Sequence, residues 1–323
     1  MTPIYLHTLT LPTPFPVGPV NTYLAMGDKP TLIDTGPNDS ATLTALRDQL
    51  AQHSLTFRDI RRIIVTHAHV DHFGIAPQIV AESGARVYSH ARNRGWLTDY
   101  ENEWQRRGEF YRAVFAASGA PREYVEGAGQ GLRGLSQYGS SIPSKNFVEI
   151  GEGDLIALGG KEWRVLFTPG HAGGLVCLYD PGSRTLLSND HLIRDITSNP
   201  ILEPPANGER ERPRALVDYI ASMQRTAELD VRVALPGHGE PIADVRALVA
   251  ARVAFHRARC AVIEAHVRDG KATAYEIMQT LFPKLKGMDV FLGLSEVIGH
   301  LDILEEEKRI SHEKREGVWR YSA

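Results

Sequence analysis

Residues 67–72 read His67-Ala68-His69-Val70-Asp71-His72, directly after Arg62-Ile63-Ile64-Val65-Thr66, a β-branched run of the kind that forms a buried strand. Three imidazoles and a carboxylate so close together are ligand types that divalent zinc, iron or manganese accept from a protein. Four more runs share this construction. Thr31-Leu32-Ile33 precedes Asp34-Thr35-Gly36, residues 163–167 precede Thr168-Pro169-Gly170-His171, Thr185-Leu186-Leu187 precedes Ser188-Asn189-Asp190, and residues 231–235 precede Pro236-Gly237-His238. Helical patterns such as 41–52 and 213–228 separate some of them, which is α/β texture, and in α/β folds functional groups gather where rigid strand ends meet open loops. The five histidines together with Asp71 and Asp190 suit a pair of divalent ions, three nitrogens on one, two on the other, with a carboxylate shared between them.

The rest of the chain sets bounds. At 323 residues it accommodates one large α/β unit with a small appendage. Apolar residues make up 42% and charged residues 23%, enough to build a core and too apolar for wholesale disorder. With 36 Lys plus Arg against 39 Asp plus Glu, the net charge of −3 offers no global attraction to nucleic acid or an anionic membrane. No run approaches the ~20 apolar residues of a membrane span, and the opening Met1 to His7 lacks the basic start and apolar run of a signal peptide, so a cytoplasmic protein is expected. Cys177 and Cys260 read as buried free thiols.

Residues 92–145 break the strand rhythm. Trp96, Tyr100, Trp104, Tyr111 and Phe115 recur near helical spacing, which predicts a helical insertion whose stripe packs down and whose loops approach a pocket. The Gly-rich segment Gly127 to Gly139 would be its hinge or lid edge. After Pro241 the texture becomes a long helix over about 243–267, a short one capped from Lys271-Ala272-Thr273-Ala274, a third over about 292–308, and a terminal hairpin, an order resembling a winged helix. The expected organisation is a catalytic unit over 1–250 and a winged-helix-like unit over 251–323.

The H-x-H-x-D-H string, the later His171 and Asp190, and the final Gly237-His238-Gly239 resemble the metallo-β-lactamase-fold superfamily in spacing and order. The resemblance implies a four-layer αββα sandwich with metals at one edge. Carried over position by position, His67, His69 and His171 would hold the first metal, Asp71, His72 and His238 the second, and Asp190 would bridge them. Asp34 would lie beneath the site and orient a ligand, and Asn21 would be scaffold. The tail looks like the winged-helix segment behind this fold in a subgroup of hydrolases, one of whose members is an endoribonuclease.

What the resemblance implies chemically is hydrolysis, with a water shared by two ions, most simply zinc with iron or manganese as alternatives, brought near neutral pKa, and Asp71 orienting it or taking its proton. Departures narrow the choice. True metallo-β-lactamases generally lack an Asp at the place of Asp190; quorum-quenching lactonases carry a tyrosine where this chain has Ile193; glyoxalase II enzymes usually have Gly where this chain has Asn189. A small-molecule ester, thioester or lactone is the leading substrate class, with His191 and Arg194 as candidate pocket residues, Arg194 as an anion clamp. An endoribonuclease or phosphodiesterase is the first alternative and a non-catalytic metal-binding sensor the second. Charge disfavours the nuclease: residues 261–323 carry 9 Lys plus Arg against 11 Asp plus Glu, including Glu305-Glu306-Glu307. The tail is expected to shape the pocket or support a homodimer. His256, His266, His300 and His312 are expected on the surface of the tail.

Overall fold

A computed structural model describes residues 6–128, 134–206, 209–287 and 289–323. Residues 129–133 of the expected hinge lie outside the described residues. Six strands form the first sheet in sequential order: β1 (Leu6–Leu11), β2 (Val20–Ala25), β3 (Thr31–Ile33), β4 (Arg62–Ile64), β5 (Arg86–His90) and β6 (Phe147–Ile150). The first three are antiparallel and β3 to β6 run parallel. The second sheet has the order β11-β10-β9-β8-β7, from β7 (Leu155–Leu158), β8 (Lys161–Phe167), β9 (Val176–Asp180), β10 (Thr185–Asn189) and β11 (Val233–Pro236).

Side-chain alternation makes the layers. Along β2, Leu24 faces helices α1 (Ser40–Gln52) and α3 (Ala76–Ser83), whereas Tyr23 and Ala25 face the second sheet; Leu32 and Ile33 split in the same way on β3, as do Ile63 and Ile64 on β4. In the second sheet Val165, Val176, Leu178 and Leu187 turn inward, and Leu166, Cys177, Tyr179 and Leu186 turn out onto helix α7 (Ala215–Glu228). The result is helix, sheet, sheet, helix, as the resemblance implied. Leu24, Leu32, Leu46, Leu50 and Ile63 are fully buried, each worth about 1.5–3 kcal/mol of transfer free energy. Asp39 caps α1 by accepting from the Ala41 and Thr42 amides at 3.0 and 3.4 Å, a contribution of about 1 kcal/mol. Between α1 and α3 lies the single turn α2 (Val70–Phe73).

The insertion is two successive helices, α4 (Arg94–Thr98) and α5 (Tyr100–Ala117), broken at Asp99, followed by α6 (Arg122–Gly127). The aromatic stripe crosses the break. Beyond the second sheet come α8 (Val245–Arg268), α9 (Ala274–Leu281), α10 (Asp289–Glu306) and the hairpin β12 (Ser311–Arg315) and β13 (Val318–Ser322). Thr273 and Glu276 form the reciprocal cap of α9. The expected boundary at 250 falls inside α8, and one continuous core joins Leu186 of the sheet and Leu216 and Met223 of α7 to Cys260, Ile263, Ile298 and Leu301. Tyr111 and Val114 of the insertion belong to that same core. Cys177 and Cys260 are both buried and free. No helix among the described residues is long and apolar enough to cross a membrane.

His256 and His300 are not surface residues. Both are buried, with His256 Nδ1 3.1 Å from His300 Nε2, because α8 and α10 pack against each other there. His266 is half-buried, and His312 is exposed against Glu305.

Candidate metal centre

The C-terminal ends of β3, β4, β8, β10 and β11 converge on one edge of the sandwich and deliver Asp34, His67, His171, Asp190 and His238. His69, Asp71 and His72 follow within α2 and the turn before it. Three groups of ligand atoms result: His67 with His69 and His171, His67 with His72 and Asp190, and Asp71 with His72 and His238. His69 Nδ1 stands 3.1 Å from His67 Nε2 and 2.9 Å from His171 Nε2. On the other side His238 Nε2 is 3.4 Å and His72 Nε2 3.9 Å from Asp71 Oδ2. Asp190 Oδ2 lies between, 3.5 Å from the Nε2 atoms of His171 and His72, 3.7 Å from that of His238 and 4.0 Å from that of His67.

The outer nitrogens are held. His72 Nδ1 is 2.9 Å from Asp34 Oδ2, His171 Nδ1 3.0 Å from the Asn199 carbonyl, and His238 Nδ1 2.8 Å from the Pro19 carbonyl. Each of those oxygens accepts, so the proton sits on Nδ1 and the Nε2 lone pair points inward. His67 Nδ1 meets the Thr66 hydroxyl at 3.2 Å, which itself donates to Asp34 Oδ2 at 2.7 Å, so Asp34 steers His72 directly and His67 through Thr66. Asp34 and Asn189 take left-handed backbone conformations at φ 60° and 44°, strain concentrated at two strand ends that feed the site.

A metal ion fits this donor set. His72 Nε2, His238 Nε2 and Asp190 Oδ1 are buried with no hydrogen-bond partner among the described residues, an arrangement that costs free energy unless a cation takes the lone pairs. Burial draws the His72 imidazole down, yet Asp190, Asp71 and Asp34 more than offset it and hold the ring well above its ordinary pKa. Three carboxylates around one ring favour positive charge at that spot, whether proton or metal. Burial together with His72 and His69 pushes His67 well below its usual value, which keeps that ligand neutral. Gly237 is obligatory: a Cβ there would stand 2.2 Å from Asp190 Oδ1 and 2.9 Å from His72 Cε1.

A cavity of about 210 Å³ opens beside His69 and Asp71. Its walls are Trp96, Trp104, Arg107 and Tyr111 of the insertion, Ala172 and Gly174 after the His171 ligand, Phe15, and Phe291 of α10. The helices of the insertion themselves line the cavity, rather than its loops alone. Of the two residues expected there, His191 is fully buried with Nε2 2.9 Å from the Thr226 hydroxyl, because the chain after Asp190 turns inward under α7. Arg194 is exposed and forked onto its neighbour Asp195. Neither lines the cavity. His90 stacks on Phe167 at 4.1 Å and stands in none of the ligand groups. Asn21 is scaffold, donating to the Pro236 and Gly239 carbonyls at 3.2 and 2.8 Å and so fixing the turn that carries His238. Sequence reasoning missed Thr66, Asn199 and the Arg107 cluster, whose roles are set by the remote partners Asp34, His171 and Glu203.

Residues 15–238 match the family model of the metallo-beta-lactamase superfamily. The probable metallo-hydrolase YqjP of Bacillus subtilis (strain 168) is 36% identical over 306 residues, covering 94% of this chain and 93% of that one. The metallo-beta-lactamase family protein TTHA1429 from Thermus thermophilus superposes with a TM-score of 0.80 at 31% identity over 98% of both chains. A beta-lactamase domain protein from Burkholderia ambifaria shares the fold, with a TM-score of 0.83 at 23% identity over 99% of this chain and 93% of that one. With that match over more than two thirds of its length, and the ligand order found at the sandwich edge, the chain belongs to the metallo-beta-lactamase superfamily.

Proposed function

We propose that this chain is a dinuclear metal-dependent hydrolase of a small-molecule ester, thioester or lactone. The observation that carries this reading is the position of Asp190 Oδ2, within 3.5 to 4.0 Å of four imidazole nitrogens drawn from both ligand groups, in a site whose His69 and Asp71 border a largely apolar cavity. His67, His69 and His171 would hold one ion, Asp71, His72 and His238 the other, with Asp190 shared. Nitrogen-rich sites of this kind suit zinc first, then iron or manganese. Bound there, divalent ions supply Lewis acidity toward an acyl oxygen and bring water into the neutral pKa range. The chain's own residues do the rest. Asp71 faces both the second ligand group and the cavity, so its carboxylate orients the attacking water and takes its proton. The aromatic wall excludes bulk water and seats the acyl group. The tail, winged-helix-like in its order of three helices and a hairpin, contributes to the cavity through Phe291.

The name of the Bacillus subtilis relative, a probable metallo-hydrolase, supports the reaction class. The test is turnover by zinc-loaded and manganese-loaded protein on one panel of acyl thioesters, lactones, simple esters and single-stranded RNA. Metal-dependent cleavage confined to acyl compounds is the expected result. Cleavage of RNA alone would overturn the reading.

A further inference from the structure

We propose that the cavity beside His69 and Asp71 is an acyl subsite for an uncharged, compact apolar acyl group, and that it rejects acyl groups ending in a carboxylate. This rests on the acyl-hydrolase reading above. Four rings shape it: Trp96 and Trp104 meet edge to face at 4.9 Å, and Tyr111 and Phe291 do so at 4.6 Å, pinning α5 to α10 across the opening. At about 210 Å³ it exceeds the ~150 Å³ apolar cavity that admits a benzene ring, so a medium-length chain or a single ring fits.

Arg107 looks at first like an anion clamp, since guanidinium groups recognise carboxylates by paired N–H donors. Its surroundings say otherwise. Its side chain is only 7% exposed, its Nε donates to Glu103 Oε1 at 2.9 Å, its Nη1 lies 3.5 Å from Glu203 Oε1, and its face covers the Trp96 ring at 4.7 Å. Arg106 joins the same Glu103 at 2.7 Å. Two cations and two anions leave the cluster neutral. Glu203 is also committed elsewhere: its Oε2 accepts the Gly173 amide at 3.1 Å, and a Cβ on Gly173 would stand 2.2 Å from that oxygen. The Arg107–Glu203 pair therefore braces the loop that carries His171 and is not free to exchange partners with a substrate. The other cation in the wall, Arg92, is paired with Glu209 at 3.1 Å. A terminal carboxylate on the acyl group would enter a space whose buried cation, Arg107, is already matched, beside the carboxylates of Glu203 and Asp71.

The test uses zinc-loaded full-length protein and one thiol esterified with acetyl, hexanoyl, phenylacetyl or glutaryl groups. The expected kcat/KM is at least tenfold higher for hexanoyl and phenylacetyl than for acetyl, and at least 100-fold higher than for glutaryl. Calorimetry with non-hydrolysable ketone isosteres of the hexanoyl and glutaryl thioesters gives the same ranking in affinity without turnover. Phe291→Leu and Trp104→Phe, each conservative enough to keep the core, flatten the hexanoyl-to-acetyl ratio mainly through KM. Glutaryl turnover within tenfold of hexanoyl, equal isostere affinities, or an unchanged ratio in both variants would overturn the subsite. Absence of turnover on every thioester, ester and lactone would instead remove the hydrolase reading itself, and the subsite with it.

Discussion

Asp34 and His72 are joined at 2.9 Å through Oδ2 and Nδ1, and the same carboxylate accepts both the Thr66 amide at 2.8 Å and the Thr66 hydroxyl at 2.7 Å. All three contacts require an acceptor. In Asp34→Asn one oxygen becomes an NH2 group, which must face either the Thr66 amide or His72 Nδ1–H. The His72 ring then loses its enforced tautomer or Thr66 loses its anchor. Metal affinity measured by chelator competition should fall about 10–100-fold while the far-UV spectrum is retained. Unchanged affinity would remove Asp34 from the positioning of His72.

Gly237→Ala places a methyl group where Asp190 Oδ1 and the His72 ring now stand. Neither neighbour is the loose end of a flexible surface chain, so both ligands must move. Metal content should drop below that of the native chain and turnover should fall at least 100-fold, since small misplacements at a reacting centre cost about that much. The metal-to-protein ratio by elemental analysis checks it.

Arg107→Met removes a buried cation and leaves Glu203 facing the cavity with only the Gly173 amide. Breaking a buried pair in this way costs about 3 kcal/mol, and the melting temperature should fall by several degrees, at about 2–4 °C per kcal/mol for domains of 150–250 residues. Adding Glu203→Gln to that variant should restore part of the loss. A double variant no more stable than the single one would contradict the pairing.

Acid should expose the second buried histidine pair. Burial, assisted by Arg252 and Arg259, lowers His256 to about 4; burial lowers His300 to about 3 against the pull of the Glu296 carbonyl. Unfolded imidazoles take up protons below about 6.5. Between that value and about 4 the unfolded chain therefore binds more protons than the folded one, and stability falls as the pH falls through this window. By pH 5 the loss is on the order of 2 kcal/mol for each histidine. Urea titrations at pH 7 and pH 5 on the native chain and on His256→Leu/His300→Leu should show a smaller pH difference in the variant.

The strand ends were legible because their chemistry is local. Leu32-Ile33 before Asp34, and Ile63-Ile64 before His67, put apolar pairs on two faces of a strand and a polar group at its exit. The seven candidate ligands follow from that pattern together with the family spacing, and the structure brings all of them to one edge. Partners chosen by tertiary packing left no such trace. His256 and His300 occupy positions that look like solvated helix faces, and only the crossing of α8 and α10 buries them. Arg107 with Glu103 reads as an ordinary i, i+4 surface pair; Glu203, nearly a hundred residues on, and the Trp96 ring make it a cavity wall. His191 follows a ligand directly, yet one turn of backbone sends it to Thr226. The break at Asp99 was hidden because the aromatic stripe continues across it.

The most direct test of the account is the number of metal ions per chain in native protein and in Asp190→Ala, measured by elemental analysis after zinc loading and desalting, alongside turnover of the best acyl substrate. The account predicts two ions per native chain, at most one in the variant, and turnover abolished with the fold intact. Two retained ions or unchanged turnover in Asp190→Ala would contradict a centre bridged by Asp190.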